Sequence, residues 1–396
     1  MPRSRAKSPP RLTRDAERLI ALANGLNASG SLTEDRFWEG EMCGVIARLL
    51  ENGNDAPIDG ALDHLYQTNL GAYDTLIELA ENESESASME ADGEKWQGLL
   101  VAAPIVAWSK YEIPSGTIDR ASADALRTQL QGHVLADATR VALVPYLYSI
   151  DQLPRHFSEL RKLTVKLAEA ALAKEAPRVD FARLPETAHL LADTRFLIAA
   201  VAAPRGKPLF RWQEDASGHV GRTGSLEQWI AQARPTISRL LPGCVYEVLL
   251  PDAYYVNCRE SDRRVRPFGI RAAVAFLENA LKVRAGDLQA IVAGFGEDRV
   301  DEYRVAFTGP GEEAEVAHGV VWPLYGREDE TARPGPIDEV VEQLTESGIT
   351  DVKRLPGTFT PEYCEDCGAP LFANGEAEVV HAELPEEADT QAAHFH

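Results

Sequence analysis

From Asp15 to about Leu79, apolar residues recur every three or four positions, as in Leu19, Leu22, Ala23 and Leu26 and again in Val45, Ile46, Leu49 and Leu50. That is the period of helices with one buried face. Breaks at Asn27–Thr33, Asn52–Pro57 and Asn69–Gly71 divide the stretch into about four short helices. Beyond Leu99 the pattern changes. Short apolar runs, rich in Val, Ile and aromatics, occur at 99–108, 141–148, 196–203, 245–250, 290–294, 303–307 and 316–325. Helical periodicity returns at 122–131, 157–174, 226–240, 270–282 and 337–347. Strands interleaved with helices predict an α+β (mixed α/β) fold, and the close pair near 290–308 predicts antiparallel pairing.

These patterns divide the chain into a basic segment at 1–14, a helical region at 15–80, an acidic linker at 81–97, sheet lobes at 98–240 and 241–355, and a Cys/His element at 356–396. The linker is expected because its Glu- and Ser-rich sequence lacks apolar periodicity. Proline followed by an aromatic residue recurs in several strand-like runs, among them Pro145-Tyr146 and Pro323-Leu-Tyr325, and hints that the two lobes are related.

Composition narrows the function. The chain has 396 residues and a formal net charge of −22, which disfavours general attraction to nucleic acid or anionic membrane. No apolar run reaches the roughly 18 residues of a membrane span, and the amino-terminal sequence lacks a secretory h-region, so a cytoplasmic protein is expected. Five cysteines, three of them scattered singly, fit free thiols in a reducing compartment.

The most specific chemistry lies in Cys364-Glu-Asp-Cys367-Gly368, followed by His381, His394 and His396. Two thiolates in a Cys-x2-Cys turn, with imidazoles beyond, make the donor set of a structural zinc site. Cys364, Cys367 and His381 would be joined by His394 or His396, which share a face if that segment is extended. The spacing is non-standard, because 12 residues separate His381 from His394. A redox dithiol is disfavoured by Glu365 and Asp366 between the thiols, and an unligated acidic end is the competing picture.

A second candidate is the segment from Tyr254 to Pro267. Cys258 and Arg264 match the bare Cys-x5-Arg spacing of a thiolate nucleophile with a phosphate clamp, but the segment has no glycine to turn amides inward. Arg259, Arg263, Arg264, Arg266 and Arg271 concentrate positive charge in an acidic chain, and are the candidate site for an anionic small molecule or RNA. A solvated charged loop ahead of an Ile270 helix is expected here.

Cys364-Glu-Asp-Cys367-Gly-Ala-Pro-Leu-Phe, Val380-His381-Ala-Glu and Ala393-His-Phe-His396 together resemble an uncharacterised proteobacterial family known only as a domain of unknown function. The resemblance runs nearly full length and brings no activity; it implies a bacterial cytoplasmic setting. The resulting expectation is a non-enzymatic binding or regulatory protein with a structural zinc site and an anion-binding arginine segment. The alternative is an enzyme acting on a phosphorylated or ester substrate through Cys258.

Overall fold

The computed structural model describes residues 12–91, 93–188, 190–214, 221–297, 299–309, 315–326, 328, 332–385 and 388. Four helices come first: α1 (Arg14–Asn27), α2 (Leu32–Glu51), α3 (Ala56–Thr68) and α4 (Leu70–Glu85). Side-chain oxygens of Thr13, Ser31 and Asn69 accept from the first-turn amides of α1, α2 and α4, donors that no carbonyl within the helix can reach. The apolar stripes read from the sequence meet in one core, where Leu19, Ile46, Leu50, Leu65 and Leu76 are fully buried.

The acidic stretch 81–97 is not a linker. α4 runs to Glu85, and β1 (Ser86–Ala91) forms an antiparallel hairpin with β2 (Glu94–Trp108). Glu81 and Glu85 are buried instead of solvated, and partners on a distant helix satisfy them.

β2 organises the first sheet. One edge pairs along its length with β5 (Ala192–Pro204), followed by β4 (Arg140–Ser149) and the short β3 (Gly116–Thr117), all antiparallel. Its other edge is shared by β1, β6 (Val245–Val248) and β7 (Asp252–Ala253). Helices cover both faces: α5 (Arg120–His133) and α7 (Arg222–Leu240) bury Leu126, Leu130, Trp229 and Ile237 on one. On the other, α6 (Phe157–Ala173) buries Leu160 and Leu167. Burial from both sides explains why β2 and β5 read as continuous apolar runs without alternation.

α8 (Tyr254–Leu281) has 28 residues and is about 42 Å long at the helical rise. Its first half packs on the first sheet through Tyr254, and Phe268 at its middle packs beside Val106 of β2. Its second half places Ile270, Ala273 and Leu277 in the core of a second sheet. That sheet runs β10 (His318–Pro323), β9 (Glu302–Thr308), β8 (Gln289–Phe295), β11 (Asp351–Phe359), with β8 and β11 parallel and the other pairs antiparallel. α9 (Pro336–Glu346) completes the cover of this face with Val340 and Leu344.

Two expectations change here. β6 and β7 lie beyond residue 240 yet belong to the first sheet, and α8 serves both cores, so no boundary falls at 240/241. The sheets share no strand order, which removes the basis for relating the lobes by duplication.

The opposite face of the second sheet is covered by the hairpin β12 (Phe372–Ala373) and β13 (Val379–Val380). Phe372 packs with Ile291, Ala306 and Val316. Gly319 makes this approach possible, since a Cβ there would lie 2.2 Å from the Phe372 ring. Among the described residues no helix is long and apolar enough to cross a membrane.

Candidate metal centre and arginine cleft

Residues 362–371 fold back on themselves. Leu371 N donates to Glu362 O (3.0 Å), Cys364 N to Ala369 O (2.8 Å) and Gly368 N to Cys364 O (2.9 Å). Gly368 takes φ +74°, a left-handed conformation that costs glycine little. Amides of Cys367 and Asp366 point at the Cys364 sulfur and hold its thiol below the usual range. The hairpin then supplies the imidazole. Asn374 Oδ1 accepts from the amides of Glu376 (3.0 Å) and Glu378 (2.9 Å), turning β12 into β13, and His381 follows directly.

The ligand atoms of Cys364, Cys367 and His381 all lie within 4.8 Å of one another. Cys367 Sγ is 3.2 Å from His381 Nε2. Bonds of about 2.0–2.3 Å in a tetrahedral zinc site place ligand atoms roughly 3–4 Å apart, so this grouping is compatible with a shared metal ion. His381 Nδ1, buried and without a hydrogen bond, lies 3.4 Å from Glu383 Oε1. A carboxylate that accepts from the second nitrogen of a metal-bound imidazole fixes its orientation; Glu383 stands beside that nitrogen without making the bond. His394 and His396, the remaining expected ligands, lie outside the described residues.

Sequence reasoning missed what holds this element down. Arg304 on β9 is fully buried and donates from Nη1 to the carbonyls of Glu362 (2.9 Å) and Leu371 (2.5 Å), the two ends of the knuckle. Its Nε donates to Glu302 (2.6 Å), and its plane lies over Phe295 and Tyr363. In the sequence it is one arginine in a strand, and only its position in the apolar run 303–307 marked it as buried.

The second candidate segment is helical, which corrects the expected loop. Asn257 and Ser261 occupy buried positions of α8. Cys258 packs against the apolar cluster of Tyr148 and Tyr254, whereas Arg264 lines the α7–α8 cleft, so the two do not form one cradle. Burial, reinforced by Asp262, pushes the Cys258 thiol up to about 12, opposite to the activation a nucleophile needs.

The arginines separate by role. Arg266 is buried, donating to Pro323 O and Glu328 (both 2.8 Å) under Trp322. Arg271 reaches Glu346 (3.3 Å) and Gln343 (3.1 Å) on α9. Arg259, Arg263 and Arg264 instead line a cleft of about 560 Å³ between α7 and α8, where they meet Arg222 and Arg234 of α7. Arg259 is held by Glu81 (2.5 and 2.6 Å), Arg263 by Glu328 (3.1 Å) and Arg264 by Glu260 (2.8 Å). Arg222 pairs with Asp252, whereas Arg234 has no carboxylate partner among the described residues. A detectable signal existed: Arg222, Leu226, Ile230 and Arg234 recur every four residues, the spacing of one helical face.

The fold and these geometries define an α+β protein carrying a Cys2His group fit to hold a metal ion on the back of its second sheet. A family model described as "Protein of unknown function (DUF2863)" matches residues 4–395. The chain belongs to that family. No curated protein and no solved structure matches it.

Proposed function

We propose that the chain is a binding protein whose carboxyl-terminal element is stapled by a structural zinc ion, and that α8 offers its arginines to a small anion. The convergence of Cys364, Cys367 and His381 within 4.8 Å carries the metal reading. Two thiols and an imidazole select a borderline-soft ion such as zinc over magnesium or calcium. With His394 or His396 as fourth ligand the site has no open position for water, which favours a structural role over a hydrolytic one.

The raised Cys258 thiol supports binding over nucleophilic catalysis. A small anion is favoured over RNA because three carboxylates, Glu247, Asp252 and Glu260, share the cleft with the arginines, in a chain of net charge −22. Protein purified without added metal should carry one zinc per chain in native mass spectrometry, and Cys364→Ser with Cys367→Ser should abolish it. Substoichiometric zinc in the unaltered protein would reject the staple. The same spectra should show a retained small anion that Arg263→Gln with Arg264→Gln removes; a retained anion indifferent to that change would reject the arginine site.

A further inference from the structure

We infer that the cleft between α7 and α8 takes an amphipathic organic anion, with its carboxylate or phosphate head at Arg234 and Arg264 and its apolar body along Leu226, Ile230 and Val256. This rests on the anion-binding reading above and names the ligand class it leaves open.

The cleft has two unlike ends. At one, Arg222 is committed: it pairs with Asp252 and lies over the Trp212 ring at 4.7 Å. At the other, Arg234 stands exposed without a carboxylate partner among the described residues. Arg264 faces the same end, where Tyr246 and Glu247 complete the wall. Its Nε donates to Glu260 at 2.8 Å and its Nη1 forms a longer ion pair with Glu247 at 3.6 Å, which leaves its Nη2 donors open. These two guanidiniums therefore keep donors free in the fork geometry that matches a carboxylate or phosphate.

Between the ends the α7 wall is apolar, while the α8 wall mixes Val256 with Arg259, Glu260 and Arg263. From Arg222 to Arg234 the α7 face is about 18 Å long at the helical rise, and Leu226 and Ile230, both half-buried, occupy its middle. Across the cleft Val256 is 46% exposed, one turn ahead of the charged Arg259 and Glu260. An inorganic anion would leave this surface wet, whereas a ligand with an alkyl or aromatic body would cover it. The volume of about 560 Å³ suits such a molecule and falls within the roughly 300–1,000 Å³ of small-molecule sites.

Isothermal titration calorimetry of the full chain with decyl phosphate, decanoate and inorganic phosphate tests this directly. One decyl phosphate or decanoate should bind per chain, at least tenfold more tightly than inorganic phosphate, and the tighter of the two identifies the head group. Arg234→Gln and Val256→Asp alter exposed positions and should each weaken binding at least tenfold with the melting temperature preserved. Arg18→Gln, on the far helical bundle, should change nothing. Inorganic phosphate binding as tightly as decyl phosphate would overturn the apolar body. Binding that needs Arg263 and Arg264 but ignores Arg234 and Val256 would overturn this placement of the head and the apolar body while leaving anion binding intact. No binding of any of the three probes would overturn both.

Discussion

Arg304 and Arg234 carry the same guanidinium into opposite surroundings. Beneath the knuckle, Arg304 is sealed between β9 and residues 362–371, with two carbonyls and Glu302 accepting from it. In the α7–α8 cleft, Arg234 is exposed and Arg264 is 53% exposed on its side chain, with water as the alternative partner. A buried charge is costly, and removing Arg304 would strand the two carbonyls and the carboxylate that accept from it. An exposed charge contributes little to stability and keeps donors for a visitor. Exposure, more than residue type, separates a fastening from a binding group here.

The knuckle should respond most strongly. Chelation of the proposed zinc would remove ligation worth on the order of 10 kcal/mol in small zinc peptides, so residues 362–381 should become protease-sensitive while β2 and β5 stay protected. Protection unchanged by chelation would erase the contrast. Arg304→Met should lower stability by about 3–5 kcal/mol in urea unfolding, since it strands the Glu362 and Leu371 carbonyls and leaves Glu302 uncompensated.

Glu85 lies behind the cleft, where its carboxylate accepts from Tyr255 N (2.9 Å) at the start of α8. Burial raises it from 4.5 to about 7. Because the folded value is the higher one, its favourable contribution is complete below pH 4.5 and is lost as pH rises through 7. Glu85→Gln should flatten that slope and leave the variant more stable at pH 8 by roughly 3 kcal/mol. Equal slopes in the two proteins would contradict the burial argument.

Gly319→Ala drives a methyl into the Phe372 ring and should cost about 1–3 kcal/mol, loosening the hairpin that presents His381. The smallest effect belongs to the cleft: Arg264→Gln should alter stability by no more than about 1 kcal/mol. A loss comparable with that of Arg304→Met would place Arg264 among the fastenings.

The helices and strands whose cores are purely apolar were legible in the sequence. The periodicity at 157–174 and 337–347 corresponds to α6 and α9, and the runs at 99–108 and 196–203 lie within β2 and β5. The Cys364–His381 grouping was legible too, because ligand chemistry restricts which residues can serve. The first half of α8 was hidden, since Asn257 and Ser261 fill positions facing the core where periodicity expects apolar side chains. Pro267 added a false stop. Glu81 and Glu85 looked solvated because their partners, Arg259 and the Tyr255 amide, lie some 170 residues away, beyond the reach of any local pattern.

Asn257 also decides which of several similar packings α8 adopts. Its amide donates to Ala102 O of β2 at 2.6 Å and to Leu250 O, in the loop between β6 and β7, at 2.8 Å. Sliding the helix by a turn would leave that amide unpaired in the core, a penalty of about 1–3 kcal/mol, whereas the aliphatic contacts of Ala272, Ala273 and Ala280 would discriminate weakly between levels. The residue therefore acts as an index pin: it sets the axial position of α8, and through that single helix the height at which the second sheet stands beside the first.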